Sequence, residues 1–231
     1  MREIVLDTET TGLDPATGDR VVEIGAVELF NHMPTGRTYH QYINPDRAMP
    51  KEAFEVHGLG DDFLRDKPRF RAIAASFLEF IGDAILVIHN APFDMKFLNH
   101  ELQAAGHAPL PMTRAFDTVA LARQKFPGSP ASLDALCRRF GVDNSAREKH
   151  GALLDSEILA EVYLELIGGR QPDLTLNPVT AQSATANQTD TMWRPKPRPT
   201  PLPSRLSEVE IAAHAEFVGK LGDGAIWKKR I

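Results

Sequence analysis

The apolar positions along the chain follow two periods. Ile4-Val5-Leu6 is a continuous apolar triplet that predicts a buried strand, and Arg20 to Phe30 and Thr38 to Ile43 are further β-rich runs joined by turn residues, as consecutive antiparallel strands would be. From residue 70 the period lengthens. Phe70 to Ile81 carries apolar residues at helical spacing through Ile73, Phe77, Phe80 and Ile81, and Ala84 to Ile88 is a short β-branched run, so the pair reads as a crossover unit. Helical patterns return at Phe93 to Ala105, Thr118 to Phe126, Ser132 to Phe140 and Ala152 to Ile167. Strands early and helices late predict an α/β fold, a mixed sheet flanked by helices. Phe93 and Phe97, four residues apart, read as one core-facing stripe rather than as base-stacking platforms.

The pattern breaks at Gly168-Gly169, which opens a stretch rich in Thr, Ala, Gln and Asn. Pro195, Pro197, Pro199, Pro201 and Pro203 alternate with Lys196 and Arg198, a spacing that favours extended polyproline geometry and builds no core. Beyond them, Ser207 and Glu210 form a capping-box pattern ahead of Ile211, Ala212, Ala215, Val218 and Leu221, at helical spacing up to Gly222. The expected organisation is a domain over residues 1–168, a flexible linker over 169–204 and a closing segment over 205–231 that contains a short helix. A helix of about 14 residues is marginal in water, so its apolar face suits docking on a partner, with packing onto its own domain as the alternative.

Certain polar residues stand where the apolar runs end. Asp7 and Glu9 follow Ile4-Val5-Leu6 at i and i+2, so on a strand both carboxylates point to one face. Two like charges beside a buried strand cost several kcal/mol unless cations or protons compensate, whereas a solvated turn would leave them innocuous. His89-Asn90-Ala91-Pro92-Phe93-Asp94 carries a strand into a helix, and Asn90 sits at the strand tip, where ligand sites collect in open α/β sheets. His150 and Asp155 stand at the start of the last long helical pattern of the domain. Four carboxylates and one imidazole at the ends of three elements suit Mg²⁺ or Mn²⁺ rather than structural zinc. Two such ions, roughly 3.5 to 4 Å apart, would clamp the attacking and leaving oxygens of a phosphoryl displacement.

Composition narrows the classes. The 231 residues are 42% hydrophobic and 25% charged, enough for one full core and inconsistent with a disordered or fibrous chain. A formal net charge of -5 excludes a protein that coats nucleic acid through bulk basicity. Cys137 stands alone within Leu133-Asp134-Ala135-Leu136-Cys137 and reads as a buried helical thiol in a reducing compartment. No apolar run approaches the roughly 20 residues needed to span a bilayer, and no signal-peptide pattern opens the chain, so a cytoplasmic location and no membrane partner are expected. His32, His40, His100 and His107 lie in no motif and read as surface residues.

Asp7-Thr8-Glu9-Thr10-Thr11-Gly12, Asn90-Ala91-Pro92-Phe93-Asp94 and His150 with Asp155 resemble, in order and spacing, the three exonuclease motifs of the histidine branch of the DEDD superfamily. The resemblance spans residues 1–168 and implies a ribonuclease H-like fold with 3′-to-5′ exonuclease activity. It implies that Asp7, Glu9, Asp94 and Asp155 hold two divalent cations and that His150 is the general base. Thr10 and His57, the latter within Glu55-Val56-His57-Gly58-Leu59, are implied substrate contacts, and Asn90 joins them as a strand-tip residue.

The tail carries a second resemblance. Ser207-Glu208-Val209-Glu210-Ile211-Ala212-Ala213-His214, with Gly222, Ala225-Ile226-Trp227 and Lys228, is similar to the C-terminal segment of the proofreading subunits of bacterial replicative polymerases. It implies that residues 205–231 bind the catalytic polymerase subunit. Gln171-Pro172-Asp173-Leu174-Thr175-Leu176 resembles the short motif by which that family reaches the sliding clamp, although a plain polar linker accounts for the same residues. The expected activity is metal-dependent removal of nucleotides from the 3′ end of single-stranded or mismatched primer DNA, with release of nucleoside 5′-monophosphates. An RNA-trimming exonuclease and a non-catalytic tethering subunit are the rival readings; the intact set of five site residues weighs against the second.

Overall fold

The apolar triplet lies inside a nine-residue strand, β1 (Arg2–Thr10), at the centre of a five-stranded sheet. The computed structural model of the chain describes residues 1–147, 149–169 and 206–222. In chain order the other strands are β2 (Val21–Phe30), β3 (Met33–Tyr42), β4 (Ile85–Ile88) and β5 (Ala115–Asp117), and the spatial order is β3-β2-β1-β4-β5. β1 runs antiparallel to β2 and parallel to β4, and β5 extends the parallel half. This is the expected mixed sheet. β1 outlasts its apolar run because Asp7, Thr8 and Glu9 continue the ladder against Gly25, Ile24 and Glu23, with a register shift only after Glu9. β3 begins earlier than its β-branched run because it is an edge strand, where exposed Met33 and Pro34 are tolerated. β5 has three half-buried residues, too few to show alternation in the sequence.

Each face of the sheet carries a helical layer. Ile4, Leu6, Ile24, Leu86 and Ile88 pack with helices α3 (Phe70–Ile81) and α4 (Ala91–Ala105) through residues such as Phe77, Phe97 and Leu98. Val5, Val27 and Val87 face α5 (Thr118–Lys125), α6 (Leu133–Phe140) and α7 (Ala152–Leu166). Alternation along β1 thus sorts odd positions to the α7 side and even positions to the α4 side, which decides where each motif residue points. Two short helices, α1 (Lys51–His57) and α2 (Asp61–Leu64), fill the connection after β3. Gly58, with φ of 77°, ends α1 in the left-handed conformation that glycine takes without strain. Cys137 is buried and free, as its helical setting suggests. His32 and His40 lie towards the surface but are not idle: their ring nitrogens pair with buried Glu3 at 2.8 Å and Glu23 at 2.7 Å. The Tyr163 hydroxyl donates to the other Glu3 oxygen at 2.7 Å.

The chain divides into two compact units, Met1–Leu176 and Asn177–Ile231. Of the second, the described part is helix α8 (Glu208–Lys220) with its flanks. Its capping box is complete: the Ser207 hydroxyl accepts from the Glu210 amide at 3.3 Å, and the Glu210 carboxylate accepts from the Ser207 amide at 2.8 Å. Val209, Ile211 and Phe217 are exposed on it. The proline-rich linker, Gln171 to Leu176 and Ala225 to Lys228 lie outside the described residues. Among the described residues, no helix is long and apolar enough to cross a membrane.

Candidate active site

Asp7 and Glu9 project to the α7 side of β1. Opposite Asp7 stands Gly25, and the absence of a side chain there is what lets α7 come close. A Cβ on Gly25 would lie 2.1 Å from both the Ala152 carbonyl carbon and the Leu153 nitrogen. The Ser156 hydroxyl fastens the contact by donating to the Gly25 carbonyl at 2.9 Å. The first turn of α7 is thereby pressed against the β1–β2 pair, and it carries the buried Asp155.

Asp94 arrives from the other layer. Asn90 turns the chain from β4 into α4 in a left-handed conformation, with φ of 71°, and Pro92 suits the first turn of the helix. Buried Asp94 then accepts two hydrogen bonds from Thr8, at 3.1 Å from its amide and 2.7 Å from its hydroxyl. Thr8, between the two β1 acids, points to the opposite face from them and fixes Asp94 at the same strand end.

The loop before α7 supplies the imidazole. His150 is half exposed, its backbone N–H donates to the Val56 carbonyl at 3.2 Å, and its Nδ1 lies 3.3 Å from Asp155 Oδ2. Ligand atoms of Glu9, His150 and Asp155 all lie within 4.8 Å of one another, a spacing that fits a metal ion. Arg147 grips the same carboxylate through Nε at 2.6 Å to Oδ1 and Nη2 at 2.7 Å to Oδ2.

Crowding these acids has an electrostatic cost that shows in their proton affinities. Burial, then the charges of Asp94, Glu9 and Asp155, push Asp7 well above the usual carboxylate range. Burial and the charges of Asp155, Glu23 and Asp94 raise Glu9 to about 8. Burial lifts Asp94 to about 7 against the pull of its Thr8 hydrogen bonds. Asp155 differs: burial pushes it up, but His150 and Arg147 outweigh that and hold it below its ordinary value. Carboxylates that resist ionising together at neutral pH, and offer hard oxygens, form a donor set suited to divalent cations.

Beside the acids opens a cleft of about 410 Å³, lined by Thr10, Gly12, Leu13, Val56, His57 and Phe93 among others. The Thr10 hydroxyl donates to the Gly12 carbonyl at 2.6 Å, so its side chain shapes the turn that walls the cleft. His57 is not a loop residue but the buried end of α1; its Nδ1 accepts from the Leu59 amide at 3.0 Å, and its Nε2 meets no hydrogen-bond partner among the described residues. Burial lowers its pKa. Phe97 is core, whereas Phe93 reaches the cleft wall, contrary to the purely core reading of that pair. The structure therefore brings Asp7, Glu9, Asp94, His150 and Asp155 together and sets Thr10 and His57 alongside. Asn90 is exposed at the strand tip, its amide bonded to Asp117 at 3.3 Å, and is not among the cleft's lining residues. Thr8 and Arg147 are the contributors that the sequence pattern did not single out. Thr8 carries no charge, and Arg147 lies in an irregular polar loop; its place three residues before His150 was the available signal.

The family described as Exonuclease matches residues 4–163. A DNA polymerase III subunit epsilon of Rickettsia felis is 50% identical over 224 residues, covering 96% of this chain and 97% of that protein. The chain belongs to the DNA polymerase III epsilon-subunit family of exonucleases. The epsilon subunit of Salmonella typhimurium is 44% identical over 239 residues, covering 98% of this chain and 97% of its own length. Among solved structures, the nuclease domain of 3'hExo, a DEDDh family member bound to rAMP, aligns with a TM-score of 0.62 at 19% identity, covering 72% of this chain and 91% of that one. Exonuclease X in complex with 5' overhanging duplex DNA aligns with a TM-score of 0.57 at 24% identity, covering 71% and 90%. At such identities the likeness speaks for the ribonuclease H-like fold. Membership in the epsilon family makes this chain a proofreading 3′-to-5′ exonuclease subunit.

Proposed function

We propose that this epsilon-family chain hydrolyses the terminal phosphodiester at the 3′ end of single-stranded or mismatched primer DNA and releases a nucleoside 5′-monophosphate. The observation that supports it is the convergence of Asp7, Glu9, Asp94, Asp155 and His150, from three separate elements, beside the cleft of Thr10 and His57. The four carboxylates would hold two divalent cations, Mg²⁺ or Mn²⁺; when bound, these supply charge to stabilise the phosphate oxygens and to acidify the attacking water.

The chain's own groups do the rest. His150 is the general base: with its Nδ1–H directed at the Asp155 carboxylate, Nε2 is the unprotonated nitrogen that accepts the water proton. The bond from phosphorus to the 3′ oxygen of the penultimate nucleotide breaks as the water oxygen adds. His57 Nε2, buried and with no hydrogen-bond partner among the described residues, would offer a polar contact to the terminal nucleotide, the Thr10 turn would wall its site, and Asn90, exposed at the β4 tip outside the cleft, would meet the strand further along.

Residues 1–168 would form the catalytic domain, 169–204 the linker and 205–231 the polymerase-binding segment, with α8 presenting Val209, Ile211 and Phe217 to the catalytic polymerase subunit in the cytoplasm. Residues 171–176 would reach the sliding clamp. With a net charge of -5 the chain has no excess of cations for phosphate binding, so tethering supplies the local concentration that surface charge does not.

The test compares cleavage of mismatched primer DNA and single-stranded RNA in Mg²⁺, Mn²⁺ and chelator by the wild type and His150→Ala. Metal-dependent DNA cleavage, lost in most part by the variant with metal binding retained, is expected. Preference for RNA, cleavage in chelator, or full turnover by the variant would refute the reading.

A further inference from the structure

The loop between α6 and α7 holds a cation deeply against the domain. Arg147 is 9% exposed, and every nitrogen of its guanidinium is engaged. Nε and Nη2 fork onto the two oxygens of Asp155 at 2.6 and 2.7 Å, Nη1 meets Asp134 Oδ1 on α6 at 2.8 Å, and Nη2 also lies 2.8 Å from His150 Nδ1. One planar group thus ties together the acid on α7, the imidazole on the loop and an anchor on the neighbouring helix.

We infer that Arg147 is a positioning residue of the nuclease site: it fixes the carboxylate of Asp155 and, through that carboxylate as the acceptor of Nδ1–H, the ring of His150. This deepens the proposed function and rests on it. The alternative, that the guanidinium merely competes with cations for Asp155, fits the geometry less well. The fork takes one lone pair from each carboxylate oxygen and His150 Nδ1 lies on Oδ2 as well, which leaves a lone pair on Oδ1 free for a cation. With the fork in place, the ligand atoms of Glu9, His150 and Asp155 already lie within 4.8 Å of one another. Without it, Asp155 would lose both of its charged N–H donors from Arg147 and keep His150 Nδ1 at 3.3 Å, while the loop would still be held by the His150 amide on Val56, Lys149 over the Phe54 ring and Asn144 on Asp134. Asp134, whose side chain is 47% exposed, is the outer support of the same device.

The test uses the full chain. Arg147→Gln should lower kcat for a single-stranded oligonucleotide by about 10- to 100-fold and weaken Mn²⁺ binding, measured calorimetrically, about tenfold, the usual range for loss of a group that orients a ligand. KM should change little, because the substrate cleft is untouched. Arg147→Lys, which keeps the charge but not the fork, should recover the melting temperature without recovering kcat. Asp134→Asn should lower kcat severalfold with KM unchanged. Wild-type kcat and Mn²⁺ affinity in Arg147→Gln, tighter Mn²⁺ binding there, or a kcat that recovers with melting temperature in Arg147→Lys would each overturn the assignment. His150→Ala and Asp155→Asn, prepared in parallel, report on the site itself: full activity in those two would refute the underlying reading, whatever Arg147 does.

Discussion

The close packing at Gly25 makes a sharp prediction, because a single methyl group placed there should disturb the chemistry from the far side of a strand. In Gly25→Ala the new Cβ would sit 2.1 Å from the Ala152 carbonyl carbon and the Leu153 nitrogen, roughly 1.3 Å short of the 3.4 Å at which ordinary contact begins. Both obstacles are backbone, so no side chain can swing away. The start of α7 must retreat by about 1 Å, stretching the 2.9 Å hydrogen bond from Ser156 to the Gly25 carbonyl. Overpacking of this kind costs about 1–3 kcal/mol, which for a unit of this size lowers the melting temperature by roughly 2–12 °C. Asp155 lies one turn into the displaced helix, and a misplacement of about 1 Å at a reacting centre costs on the order of 10²-fold in rate, or about 2.7 kcal/mol of barrier. The assay is turnover of an end-labelled oligonucleotide with Mg²⁺ at saturating substrate, with thermal melting of the same protein. A folded variant with wild-type kcat and an unchanged melting temperature would show that the approach of α7 to Gly25 does not position the site.

Three further outcomes follow from individual contacts. Tyr163→Phe leaves one oxygen of buried Glu3 without its 2.7 Å donor and should cost about 1–3 kcal/mol in urea denaturation while nuclease activity persists. Thr8→Val removes the 2.7 Å hydroxyl bond to the Asp94 carboxylate, worth about 1.5–3 kcal/mol, and should weaken Mn²⁺ binding; unchanged affinity would argue against Thr8 as the support of Asp94. Glu9, ordinarily near 4.5, is raised to about 8, so between those values the folded chain keeps a proton that the unfolded chain has lost. In chelator, stability should therefore fall as pH rises from about 4.5 to about 8, by up to about 4–5 kcal/mol, and Glu9→Gln should flatten that slope and be the more stable protein at pH 8. Parallel profiles for the two proteins would contradict this.

How much of this was legible in the sequence depended on whether the signal was local. The stripe of Phe70 to Ile81 is amphipathic over three turns, and the helix has those limits in the structure. Ser207 and Glu210 announce a cap within four consecutive residues, and both of its hydrogen bonds form. Asp7, Glu9, Asp94, His150 and Asp155, the residues proposed for the site, stood out because each follows an apolar strand run or stands at the start of a helix. β5 and the two short helices around His57 were not: a three-residue strand shows no alternation, and Pro50, Gly58 and Gly60 punctuate α1 and α2 so closely that no helical period accumulates. The roles of Gly25, Thr8 and Arg147 are legible only in three dimensions, since their partners lie 131, 86 and 8 residues away.

Those separations bear on when the enzyme comes into being. The acids of β1 are among the first residues synthesised, but their companions on α7 come some 150 residues later, and the contacts that seat α7 span 131 and 160 positions. Such long-range pairings form late and slowly, because loop closure must precede them. A nascent chain that has folded its hairpin and first helices carries Asp7 and Glu9 but neither Asp155 nor His150. On the proposed site, nuclease activity would be withheld until the whole catalytic unit has left the ribosome, and chains cut short before α7 would be unable to degrade DNA.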